Sequence, residues 1–229
     1  MQEKSLSLPR NKDFIDLLII FIPQGLLILF INAINNEWVA TIGRVMLIGL
    51  TLWVINWRDG RWSKLGIVRP TKILRTILLS FGLILITIVV AGTAEEIILN
   101  FPGSNIGRPD FNRFANLEGN LPLLLVWLVN IWVTVAIGEE LIWRAFLTDR
   151  LGTVLDNVNY QNIVVVLIGA SMFGLAHFYQ GTLGIITTGL SGLVYILAYQ
   201  LSGRNLWLVI IAHGLSNTLS LISVYLGRI

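Results

Sequence analysis

The sequence predicts an all-α fold, a polytopic bundle of about seven membrane-spanning helices with room for one re-entrant segment, and three observations carry that expectation. Apolar residues fill 55% of the 229 positions and charged residues only 13%, whereas charges make up about a quarter of a soluble domain. Mean hydropathy is +0.77. The apolar residues also fall in runs of about 20, the length at which a helix crosses the hydrocarbon layer with every backbone group paired internally.

Composition removes several function classes. A net charge of +3 could suggest nucleic acid, but six of the sixteen basic residues sit in one loop, 58–75, where membrane topology accounts for them; no nucleic-acid role is expected. The absence of cysteine rules out disulfides, thiolate nucleophiles and Cys-ligated metals. Chemistry is left to His, Glu, Asp and hydroxyls.

The elements follow in order. Apolar runs 17–36 and 38–57, separated by Glu37, read as a helical hairpin. The first run is longer than a signal peptide and has no small-residue cleavage site, so it is expected to stay as a span. Trp53 and Trp57 suit an interfacial belt, and Arg44 interrupts the second run without an assigned role. Arg58, Arg61, Lys64, Arg69, Lys72 and Arg75 against the single Asp59 make the 58–75 loop cytoplasmic, and with it the N-terminus. Pro70 marks the approach to a third span over 72–94, charge-free for 19 residues from Thr76. Residues 95–120 mix Glu95, Glu96, Asp110 and Glu118 with Arg108, Arg113, Pro102 and Pro109, the composition of an extramembrane loop. Glu95 and Glu96 read as a solvated helix end.

A fourth span starts at Leu121-Pro122, with proline in the first turn where its missing N–H costs least, and continues to about Asp156. Residues 157–203 carry no Asp, Glu, Lys or Arg over 47 positions, too many for one span. They divide into a fifth, 163–178, and a sixth, 182–200, around Tyr179-Gln180-Gly181. Gly184, Thr188, Gly189, Ser191 and Gly192 give the sixth a surface suited to close helix contact. The last span covers 206–226. The chain reads as one integral-membrane domain over 1–229, with a catalytic region at 120–220.

Candidate functional residues stand out because they are costly. Glu139, Glu140 and Arg144 lie inside the fourth span, where each ionisable side chain costs roughly 2.5–3.5 kcal/mol on insertion scales and normally faces a cavity or a partner. Glu140 and Arg144 are one turn apart and can neutralise each other, while Glu139 projects from an adjacent face. The only two histidines, His177 and His213, also fall in apolar spans, sharing faces with Phe173 and Asn217 respectively. One intramembrane His is ordinarily a hydrogen-bonded packing residue, but two beside a Glu pair point to a site. By helix rise Glu139 and His177 reach similar depth, whereas His213 lies only about 12 Å into its span and needs tilt or a deep funnel to come level.

In this order and on successive hydrophobic helices, Glu139-Glu140-x-x-x-Arg144, Phe173-x-x-x-His177 and His213-x-x-x-Asn217 resemble the CPBP (Abi) family of intramembrane proteases, which includes CAAX prenyl protease 2 and bacterial bacteriocin-processing and immunity proteins. The flanks Phe-Gly-Leu-Ala-His and Ile-Ile-Ala-His-Gly are similar too. The likeness covers about 120–220; the first hundred residues match only as generic spans. It implies that Glu139 and His177 activate a water against a peptide carbonyl, that His213 and Asn217 stabilise the oxyanion, and that Glu140, Arg144 and Phe173 are structural. The implied partners are a peptide or protein substrate, lipidated or membrane-embedded, and the lipid bilayer. No cofactor is favoured; Zn²⁺ held by Glu139, His177 and His213 would satisfy the three-ligand count of a catalytic site, yet no His-Glu-x-x-His helix is present. The site is expected between the fourth, fifth and last spans, reached from the cytoplasmic half. Two other classes stay open: a non-catalytic immunity or partner-binding protein, and a small ion-coupled transporter using buried Glu and His as a proton relay, against which the absence of an inverted repeat weighs mildly.

Overall fold

A computed structural model describes residues 8–34, 36–58, 62–67, 70, 72–108 and 112–228. Asp59, Arg61, Arg69, Pro109 and Asp110 lie outside the described residues, as does the side chain of Arg113. Seven helices form among the described residues: α1 (Leu8–Ile34), α2 (Glu37–Arg58), α3 (Ile73–Leu99), α4 (Leu121–Val154), α5 (Gln161–Leu175), α6 (Gly181–Leu201) and α7 (Leu206–Tyr225). No strand occurs among these residues, and the all-α bundle expected from composition is the fold.

Six of the helices are long and apolar enough to cross a membrane; α5, with 15 residues, is the short one. The sequence placed a span at 163–178, but the helix stops at Leu175, and a 3₁₀ turn at Phe178–Gln180 leads into α6. Fifteen residues rise only about 22 Å. The third helix is longer than expected, carrying Glu95 and Glu96 in its last turns, where both meet Arg108.

Local sequence explains the helix starts. Asn36 accepts hydrogen bonds from the Trp38 and Val39 N–H groups, and Asn120 accepts from the Leu123 N–H, so an Asn opens both α2 and α4 by satisfying end donors. Pro122 occupies the first turn of α4.

At the end of the bundle that holds the start of α1 and the end of α2, an ion network sets helix positions. Asp16, 1% exposed, meets Arg58 at 2.7 Å and Arg150 at 3.2 Å. Asp149 meets Arg204 at 3.0 Å, and Arg204 also donates to the Lys64 carbonyl. Gly66, at φ +68°, presses its backbone against the Arg204 carbonyl, where a Cβ would collide.

The Arg204–Asp149 bridge also removes the depth conflict for His213. Counting nine residues back from Asp149 gives Glu140, and counting nine forward from Arg204 gives His213. Because α4 and α7 are antiparallel, equal counts bring both to similar heights above the bridge. They meet there, His213 Nδ1 lying 2.6 Å from Glu140 Oε1.

The small-residue face foreseen on α6 is used against α5. A Cβ on Gly174 would come within 2.6 Å of the Ile185 carbonyl and 2.9 Å of Gly189 Cα, and one on Gly192 within 2.8 Å of the Phe173 ring. The two backbones therefore touch, as close-packed membrane helices do. Gly174→Val should force them apart and lower the melting temperature of detergent-purified protein, at a cost of about 1–3 kcal/mol. Gly82→Ala on α3, where a Cβ meets nothing within 4 Å, should leave melting unchanged or raise it slightly.

Candidate functional site

The middle of α4 carries the Glu pair in an unusual backbone. Residues Ile131–Ile137 and Glu140–Phe146 are π-helical, with Gly138 and Glu139 between them. Wide turns of this kind are normally single and often mark functional sites. Gly138 has no side chain because Ile48 of α2 occupies the space its Cβ would take.

Glu140 and Arg144 are buried, at 0% and 1% exposure, with Glu140 Oε2 3.1 Å from Arg144 Nε. The Arg144 guanidinium lies 4.2 Å from the centre of the Phe173 ring and 5.3 Å from that of Tyr195, an arrangement in which ring faces replace part of its lost hydration. The second carboxylate oxygen of Glu140 takes His213 Nδ1. One carboxylate thus joins α4 to α7. Tyr195 packs edge-on to the His213 ring.

Glu139 projects elsewhere. With His177 it lines a cavity of about 500 Å³, and its Oε2 is buried with no hydrogen-bond partner. His177 Nδ1 lies 2.8 Å from the Phe173 carbonyl; that nitrogen must carry the proton to donate, which leaves Nε2 as a bare acceptor. The ring packs against Phe173 and Tyr179 and lies within electrostatic reach of Glu139 and His213.

The cavity is built differently from the sequence expectation of α4, α5 and α7. Its walls come from α1 and α2, through Gln24, Ile28, Arg44 and Leu47 among others, together with Glu139 and Trp143 of α4 and His177 beyond α5. It lies in the half toward the α1–α2 connection, with Asn32 and Glu37 among its walls, away from the turn Trp62–Leu65. His213 and Asn217 of α7 are not among its walls. His213 stands behind Glu140, and Asn217 follows it by one turn, half-buried. The structure therefore places Glu139 and His177 on one cavity and joins His213 to Glu140. Among the described residues no three His, Asp or Glu side chains form a group placed to hold a metal ion. Each His already has Nδ1 engaged.

Residues 121–219 match the family model of type II CAAX prenyl endopeptidase, Rce1-like. The matched stretch holds all seven motif residues, and the resemblance drawn from those motifs agrees with it. At family level this supports a CAAX-type intramembrane protease, and with the six apolar helices it makes the chain an integral, multi-pass membrane protein. Neither the curated proteins nor the solved structures gave a match.

Sequence reasoning left Arg44 without a role and did not connect Gln24 or Glu37 to the site. Arg44 had a signal, a charge inside a span. Gln24 had only mild polarity, and Glu37 looked like an interhelical spacer. The Glu140–His213 contact spans 73 positions and had no local sign.

The Glu140–Arg144 pair yields a measurable coupling. Glu140→Met or Arg144→Leu alone should each lower stability by about 3–5 kcal/mol, because each strands a buried charge. The double variant should melt above either single one, as shown by thermal unfolding in detergent.

Proposed function

We propose that the protein is an intramembrane endopeptidase of glutamate type. The observation that carries this reading is that Glu139, with one carboxylate oxygen lacking a hydrogen-bond partner, and His177, with Nδ1 engaged by the Phe173 carbonyl, line one cavity. A water between them has two acceptors for its protons and an oxygen lone pair left to attack a peptide carbonyl. Glu139 takes a proton as the C–O bond forms, and returns it to the amine nitrogen as the C–N bond breaks. The apolar walls strengthen these interactions by keeping bulk water away.

The oxyanion needs donors. His213, held through Nδ1 by the Glu140 carboxylate, offers its Nε2 edge, which donates when the imidazole carries its second proton. Asn217, one turn on, offers an uncharged amide. Substrate entry between α1, α2 and α4 brings the peptide bond toward the Glu139–His177 side, with α7 approaching from behind Glu140. Glu140 and Arg144 position His213 and the Phe173 ring that orients His177. The substrate is a peptide or protein segment presented from the bilayer. With the 58–75 segment and the N-terminus cytoplasmic, the cavity opens in the opposite half.

Purified Glu139→Gln and His177→Ala proteins should fold like the wild type but cleave a peptide reporter about 10²–10⁴-fold more slowly, the usual range for losing a general acid or base. Wild-type rates in either variant would sink the assignment. Because the reading routes no step through a metal, activity should also persist after prolonged treatment with a strong chelator; loss on chelation, restored by Zn²⁺, would replace it with metal-assisted hydrolysis.

A further inference from the structure

The cavity contains more unsatisfied polar groups than water activation uses. Gln24, 9% exposed, has its Oε1 buried without a partner, and Arg44 has its Nε in the same condition. Both line the cavity with Glu139 and His177, and both lie outside the stretch matched by the family model. A buried donor on a charged group is costly to leave unpaired. Glu37 engages one side of the Arg44 guanidinium, its Oε2 lying 3.5 Å from NH2; Nε has no hydrogen-bond partner, and the Arg44 side chain, 25% exposed, lines the cavity.

Helix register locates this group. Asn130 of α4 donates to Thr41 of α2, and Ile48 packs at Gly138, so the two helices run parallel and Arg44 stands level with about Thr134. Glu139 is five residues deeper, about 7 Å along the axis. An occupant reaching Glu139 from the α1–α2 end passes Arg44 first.

Resting on the proteolytic reading, we infer that Gln24 and Arg44 form a carboxylate-binding subsite for the peptide substrate. The planar guanidinium fork matches a two-oxygen anion better than a single carbonyl, and the Gln24 amide oxygen accepts an N–H from the same peptide backbone. The carboxylate is either the chain terminus or an Asp or Glu side chain. In both cases the subsite fixes where the scissile bond falls relative to Glu139.

The test measures binding to full-length Glu139→Gln protein in detergent, with fluorescent decapeptide sets of three kinds: free C-terminal acids lacking Asp and Glu, amidated peptides containing Asp or Glu, and amidated peptides lacking both. One carboxylate-bearing set should bind about tenfold or more tightly than the neutral set, the scale of a hydrogen bond to a charged partner, and which set does so names the source. Adding Arg44→Gln should abolish that preference. Arg44→Lys, which keeps the charge beside Glu37 but loses the fork, should reduce it, and serves if the glutamine variant does not fold. Equal binding of all sets, no binding by any, or a preference that both Arg44 variants leave intact would overturn the subsite. Cleavage of the same peptides by wild-type protein is scored separately: carboxylate preference without cleavage would sustain the subsite and sink the protease reading.

Discussion

A buried Glu140–Arg144 ion pair is the constraint on which the centre of the bundle depends. Neither charge is tolerable alone inside a membrane helix, so everything around them serves to keep both satisfied. Arg144 is held between the Phe173 and Tyr195 rings, which requires α5 and α6 to approach from one side. Glu140 has one oxygen left over, and His213 takes it, which requires α7 on the other. Three helices are thereby indexed to one turn of α4. The same Phe173 that covers the guanidinium gives its carbonyl to His177, so the packing that satisfies a structural charge also fixes the orientation of a ring facing the cavity.

Adjacent glutamates can serve separate surroundings because neighbouring residues of a helix diverge by roughly 100°. Glu140 is turned into the bundle, where Arg144 and His213 stand against its two oxygens. Glu139 is turned toward α1 and α2 and retains an unpartnered oxygen. The division also runs along the chain. Residues within 121–219, the stretch shared with the endopeptidase family, supply the Glu and His groups, while the walls that a ligand meets come largely from the first two helices.

The span-length elements were legible because hydrophobic length is a local property. Long runs bounded by Arg58, by Asn120-Leu121-Pro122 and by Arg204 declare their ends. The stretch from 157 to 203 does not, since it lacks charged markers, and its division is decided by tertiary contact: Gly174 meets the Ile185 carbonyl and Gly189, and the chain leaves helical geometry at His177. Within the site, Glu140 and Arg144 were readable from one-turn spacing, and His177 and His213 from rarity. The joining of His213 to Glu140 was not, because it rests on an antiparallel register set by Arg204 and Asp149. Nor was the cavity, because no spacing within α1 or α2 reveals which face turns toward α4.

That register works as a gauge. Arg204 and Asp149 lie in the outer layer of the bundle, yet equal counts of nine residues carry their alignment to His213 and Glu140 in the interior. Arg204 stands two residues before α7, and from Leu206 onward the helix carries the register to the imidazole. Sliding α7 by a single residue's rise, about 1.5 Å, would stretch the 2.6 Å contact to about 3.0 Å, and a two-residue slide would take it beyond hydrogen-bonding distance. The geometry of the interior pair is in this sense tied to the register fixed at the end of the bundle where Arg204 sits.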